Sequence, residues 1–205
     1  MLEPGKVRMT GQERRAQLLD VGRSVFADFG YQAASIEEIA KRARITKPVV
    51  YEHFGGKEGL YAVVVDREVR RLVDAITTAL EGDHPRVLLE EAALALLTYI
   101  EEEPEGFKIL LRDSPVVSTS GTLASVLGDI ADQVEHILVT EFKARGFDTK
   151  FSPIYSRALV GMVALVGQWW LGVGKPKREV VAAHLVNLAW NGLKDLQVEP
   201  RVISP

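Results

Sequence analysis

The chain has no cysteine. Disulfides, thiolate metal ligands and a cysteine nucleophile are therefore excluded. An N-terminal apolar signal core is missing as well. The longest apolar tract, residues 158–173, is interrupted by Gly161, Gly167 and Gln168 and falls short of the ~20 residues of a membrane span. These two absences predict a cytoplasmic protein that does not enter a membrane. No strand periodicity, internal repeat or low-complexity block stands out. His84, His136 and His184 are isolated, and none has a partner at metal-binding spacing. No nucleophile is spaced against a general base. Neither a metal, nor a cofactor, nor an enzymatic activity is expected.

A large charge excess is absent too. The 25 Lys and Arg nearly balance 28 Asp and Glu, for a net charge of −3. Taken whole, that speaks against a nucleic-acid partner. The distribution is uneven, however: residues 1–60 hold 10 Lys and Arg against 8 acids, and the remainder holds 15 against 20. The basic excess lies at the N-terminal end, where it includes Lys6, Arg8, Arg14 and Arg15. Its small size suits a limited phosphate footprint better than a broad polybasic surface.

What remains is a chain of 205 residues, 47% hydrophobic and 26% charged, enough for a substantial core. Apolar residues recur at helical spacing throughout, which predicts an all-α fold of about nine helices. Helices are expected over 10–29, 36–43, 46–54, 57–80, 85–102, 104–112, 122–145, 153–172 and 175–197. In the first, Leu18, Gly22, Val25, Phe26 and Phe29 form the inward face, and Gly30 closes it. A Ser/Thr/Pro loop fills 113–121. Two domains are expected: 1–56, with a flexible arm over 1–9, and 57–205.

The most informative stretch is SIEEIAKRARITKPVVYEHFGGKEGL, residues 35–60. Ser35 and Glu38 have capping-box spacing. Ile36, Ile39, Ala40 and Ala43 then make one apolar helical face. Arg44 and Ile45 make a turn. Thr46 caps a second helix, and Pro48 fits its first turn, where no backbone donor is needed. Val50 and Phe54 are four apart and face inward. Lys47, Pro48, Val49, Tyr51, Glu52 and His53 are left outward in whole or part. About two turns of helix are not stable alone in water, where roughly 12–15 residues are needed. A short helix with a thin apolar seam and a donor-rich outer face is the form of a recognition helix.

These residues resemble the TetR family of bacterial transcriptional regulators. The resemblance is carried by Ala43-Arg44-Ile45, Thr46-Lys47-Pro48, Val49-Val50, Tyr51-Glu52-His53-Phe54 and Lys57-Glu58-x-Leu60, and runs from about Gln12 to Leu60. It implies that Thr46, Lys47 and Pro48 approach bases, and that Ser35, Tyr51, His53 and Lys57 approach phosphates. Three departures bear on the operator sequence. Arg44 replaces a frequent Gly, so a left-handed turn there carries strain of about 1 kcal/mol. Pro48 replaces another Gly and offers an apolar ring to a base. Glu52 replaces a Tyr, and its carboxylate either turns from phosphate or reads a cytosine amino group.

Beyond residue 60 the resemblance implies an effector pocket in helices 5 to 8. Leu97, Ile100, Phe107 and Leu111 are candidate walls on one side, and Met162, Leu165, Val166 and Trp169 on the other. The scarcity of polar residues on those faces predicts a hydrophobic or amphipathic effector, such as a fatty acyl chain. Small residues at helical spacing allow close helix approach. With the family's dimerisation mode, they nominate Gly161 and Gln168 on helix 8 as interface. On helix 9 they nominate Leu185, Ala189, Gly192, Leu193 and Leu196. The function so implied is a homodimeric, ligand-responsive regulator, most simply a repressor released from a palindromic operator. The alternative is a DNA-binding adaptor of the same fold that holds a protein and takes no small effector.

Overall fold

The computed structural model describes residues 9–82, 84–112, 123–198 and 200. The arm expected over 1–9, save Met9, and the 113–121 loop lie outside the described residues. Nine α-helices and no strand occur among the described residues: α1 (Gly11–Ala33), α2 (Ile36–Ala43), α3 (Lys47–Phe54), α4 (Lys57–Ala79), α5 (Pro85–Glu102), α6 (Pro104–Leu110), α7 (Leu123–Arg145), α8 (Ser152–Val173) and α9 (Arg178–Lys194). A 3-10 turn, Thr149–Phe151, precedes α8. The all-α expectation is met. Helix 9 starts later than expected, because Gly174 is left-handed and Pro176 disfavours helix at the residue before it.

The chain forms two compact units. One runs through Glu68 and takes in Glu105 and the residues after it; the other holds Val69–Pro104 and the chain from α7 onward. The unit carrying α1–α3 thus extends past residue 56, because the first part of α4 and most of α6 supply its core. Leu18, Val25, Phe26, Ile39, Leu60 and Phe107 are buried there. Tyr61 meets Phe26 edge-on at 4.9 Å and lies 4.9 Å from Tyr31. Phe29, expected inward, is 49% exposed. It lies next to Gly30, whose φ of 71° breaks the helical run, and Arg42 covers its ring at 5.4 Å. Glu68 is fully buried, with Arg67 at 3.3 Å and Arg23 at 3.9 Å. A carboxylate so placed must be paired to stay charged.

The second unit packs α5 against α8 and α9, and α7 against α8. Arg157 on α8 reaches Asp132 at 3.0 Å and Glu135 at 3.2 Å on α7. Trp170 Nε1 donates to Pro176 O at 2.7 Å. Arg145 donates to the carbonyls of Leu193 and Lys194 at the end of α9. One helical stretch, Thr149–Val173, is long and apolar enough to cross a membrane by length and composition alone. The sequence reading counted only 158–173. That tract lies inside the helix expected over 153–172, and α8 is continuous through Gly161 and Gly167.

Candidate functional site

The helix-turn-helix is built from caps. Ser35 Oγ accepts from Glu38 N at 3.2 Å, giving half of the expected capping box. Glu38 turns instead to Arg42, one helical turn on, at 2.9 Å. The complete capping box is at Thr10 and Glu13, which the sequence reading passed over. At the end of α2, Ile45 N donates to Ala40 O at 3.0 Å and Arg44 N to Lys41 O at 3.1 Å. That pairing is a Schellman motif, and it holds Arg44 left-handed at φ 54°. Thr46 precedes α3 but makes no side-chain cap, and Pro48 stands in the first turn.

The inner face of α3 is held from α1. Val50 is fully buried. The Arg15 guanidinium lies 4.3 Å from the Phe54 ring centroid and donates to His53 O at 2.6 Å. Gln17 Nε2 donates to Ala43 O at 3.3 Å, at the end of α2. Cations and donors at helix C-termini satisfy orphan carbonyls and oppose the negative end of the dipole. The outer face of α3 is what remains: Thr46, Lys47, Pro48, Tyr51 and Glu52 are exposed and His53 is half-buried. The structure brings Thr46, Lys47, Pro48 and Tyr51 onto one short, rigidly seated element.

Lys47 is not idle there. It hydrogen-bonds Glu37 on α2, an exposed pair. The bond raises the Lys47 ammonium above its usual range and lowers the Glu37 carboxyl below its own. Lys57 departs further from expectation. Its Nζ donates to Tyr31 O and Ala34 O at 3.0 Å and to Gln32 O at 3.4 Å, and sits 4.5 Å from the Tyr31 ring centroid. All its protons are committed to closing the end of α1, so it is not a free phosphate ligand. The exposed cations of this motif without a protein partner among the described residues are Lys41 and Arg44. Sequence reasoning treated Arg44 only as a source of strain. Its position in a polar turn between two helices was the signal for a second role.

The second unit contains an apolar cavity of about 110 Å³. Leu88 and Leu89 of α5, Ile130 and Val134 of α7, and Val160 and Val163 of α8 are among its walls. None of the eight nominated pocket residues lines it. Leu97, Ile100 and Phe107 are packed in the core, Leu111 lies in the other unit's stretch, and Met162 and Val166 are half-buried. Leu165 and Trp169 point out to solvent, 69% and 55% exposed. The nominated interface residues divide between interior and surface. Leu185 and Ala189 are buried within the chain, and Leu193 lines the cavity. Gly161 and Leu196 are half-buried, and Gln168 and Gly192 are exposed. The outward large apolar residues are Ile154, Leu165, Trp169 and Val173 on α8 and Val180 and Leu188 on α9. Both helices carry apolar residues on more than one face, and composition alone cannot say which stripe turns inward.

Comparison with known proteins agrees with this geometry. A family model described as "Bacterial regulatory proteins, tetR family" matches residues 18–64. The "HTH-type transcriptional activator FasR" of Mycolicibacterium smegmatis is 32% identical over 192 residues, covering 91% of this chain and 85% of that protein. The crystal structure of a TetR-like transcriptional regulator from Rhodococcus sp. RHA1 superposes with a TM-score of 0.78 at 28% identity, over 92% of this chain and 100% of that one. AibR, in complex with isovaleryl coenzyme A and operator DNA, shares the fold at a TM-score of 0.70 and 18% identity, over 85% of this chain and 97% of that one.

Proposed function

The chain belongs to the TetR family of bacterial regulatory proteins and is a DNA-binding transcriptional regulator, and from that premise we propose that it works as a homodimer whose grip on a palindromic operator is relaxed by a hydrophobic or amphipathic ligand. DNA binding is assigned to the unit carrying α1–α3, and effector binding and dimerisation to the other. The observation that carries the reading is the exposed outer face of α3, with its inner face pinned by Val50, Arg15 and Phe54. A helix held this way enters a major groove without reorganising. Thr46, Lys47 and Pro48 meet bases, while Ser35, Tyr51 and His53 meet phosphates together with Lys41 and Arg44.

Dimerisation supplies the second half-site. The exposed Leu165, Trp169 and Leu188 form the apolar part of the interface. His184, Asn187 and Asn191, exposed on α9, form its polar part. The cavity of the second unit takes the effector, which must bind the DNA-incompetent state better, or nothing shifts. That AibR was captured with an acyl-coenzyme A and with DNA supports the pairing of the two functions in this fold. The regulator acts in the cytoplasm. The relative from M. smegmatis is named an activator. We therefore attach no sign to transcription, which depends on where the operator lies.

The test is selection of genomic fragments by the purified protein at physiological salt, then footprinting and light scattering. Paired half-sites about a helical turn or more apart, bound by a dimer, are expected. Lys47→Ala should cost about 1–3 kcal/mol on those sites and relax base preference. Weak, uniform and strongly salt-dependent binding would overturn the reading.

A further inference from the structure

Resting on the cavity as effector site, we propose that the ligand is an elongated cationic amphiphile, an alkyl chain ending in an ammonium group held at Glu141 and Trp190. The cavity wall runs along α5 from Pro85 to Leu96 and along α7 from Leu127 to Glu141. At 1.5 Å per residue these spans are about 16 and 21 Å. A cavity of about 110 Å³ stretched over such lengths is narrow. It suits a chain better than a fused ring system.

Its chemistry is lopsided. Glu141 is the single ionisable residue among the lining residues, and Trp190 is the one other side chain there with a polar atom. Both belong to the same end. Arg145, one turn beyond Glu141, donates to Leu193 O at 3.0 Å and Lys194 O at 2.8 Å, which brings the end of α7 to the end of α9. The His84 ring stacks 6.4 Å from Trp190, which brings the start of α5 there too. The remaining wall is hydrocarbon.

Glu141 is half-buried and has no hydrogen bond or ion pair among the described residues. Arg145 cannot serve it without leaving two carbonyls and the Phe147 ring, 5.2 Å away. A carboxylate at the rim of a hydrocarbon wall, with no protein partner among the described residues, is open to a cation or donor that reaches it. An ammonium satisfies both groups at once, pairing with the carboxylate and lying against the indole face. A carboxylate or phosphate head would meet the like charge of Glu141 and be repelled. The occupant therefore shares an alkyl chain with a fatty acid and differs from it in the head.

Calorimetric titration of the full chain with dodecyltrimethylammonium, dodecanol and dodecanoate, each below its micelle concentration, tests this. The cation should bind about tenfold tighter than the carboxylate, because Glu141 attracts one head and repels the other. Glu141→Gln should erase that preference, weakening the cation and strengthening the carboxylate. Val163→Phe, which fills the cavity, should abolish binding of every probe. Dodecanoate binding as tightly as the cation, or a preference that persists in Glu141→Gln, overturns the head-group assignment and leaves the effector site standing. Binding of no probe, or binding that survives Val163→Phe, overturns the effector site as well.

Discussion

The two units bury their helices in different ways. In the first, α2 and α3 have 8 residues each and are closed by side chains from α1. In the second, α7 and α8 have 23 and 22 residues, pack along their lengths, and leave both a cavity and an uncovered apolar face. Helices as short as α2 and α3 have little stability of their own, so cross-helix caps must supply it. Long helices hold themselves and can leave room. The difference matches the two tasks. A groove-reading element has to be presented in one geometry, whereas a receptor has to keep space and a free face.

Two glycines sharpen this contrast most. In the first unit, a Cβ on Gly59 would stand 2.0 Å from Phe54 O, a backbone atom that cannot rotate away. In the second, a Cβ on Gly167 would stand 2.7 Å from Ile100 Cδ1, the far end of a side chain. Gly59→Ala should therefore cost about 3 kcal/mol or more and abolish operator binding by shifting the end of α3. Gly167→Ala should cost about 1 kcal/mol and leave operator affinity intact. Denaturant unfolding and operator titration read both. Equal costs would mean that the first unit is no more constrained than the second.

Lys57→Ala comes next in size. If the ammonium closes α1, as its three carbonyl partners indicate, the variant should lose about 2 kcal/mol of stability. It should also bind every sequence more weakly with an unchanged salt slope. A phosphate ligand behaves oppositely: stability is kept, and the slope falls by about 1 per subunit. The salt series thus separates a cap from a contact at one residue.

These residues also show what was legible. The helices, the turn and the exposed face of α3 followed from local rules: caps, helical periodicity, and proline in a first turn. Gly59 fell at the unassigned position between Glu58 and Leu60, because a clash with the carbonyl of Phe54 is visible only once α4 folds back on α3. Lys57 was misread for the same reason, since its partners lie 23 to 26 residues away. In the second unit, helix positions were readable but helix rotation was not. Leu165 and Trp169 were placed inward and Leu185 and Ala189 outward, and the structure reverses both pairs. Rotation depends on which neighbours a helix meets, and that information is non-local.

The smallest effect tests whether the rigid unit keeps strain for a purpose. Arg44 is the one non-glycine residue with positive φ among the described residues. Its left-handed backbone costs about 1 kcal/mol, and glycine would relieve that while adding freedom to the unfolded chain. Arg44→Gly should therefore raise stability by about 0.5–1 kcal/mol in thermal or denaturant unfolding. Yet Arg44 is also an exposed cation with no protein partner among the described residues. Removing it should weaken operator binding and lower the salt slope by about 1 per subunit. Opposite signs for stability and affinity would show a strained turn retained for the phosphate it meets. A stability gain with unchanged affinity would leave the strain without a function and remove Arg44 from the DNA-facing set.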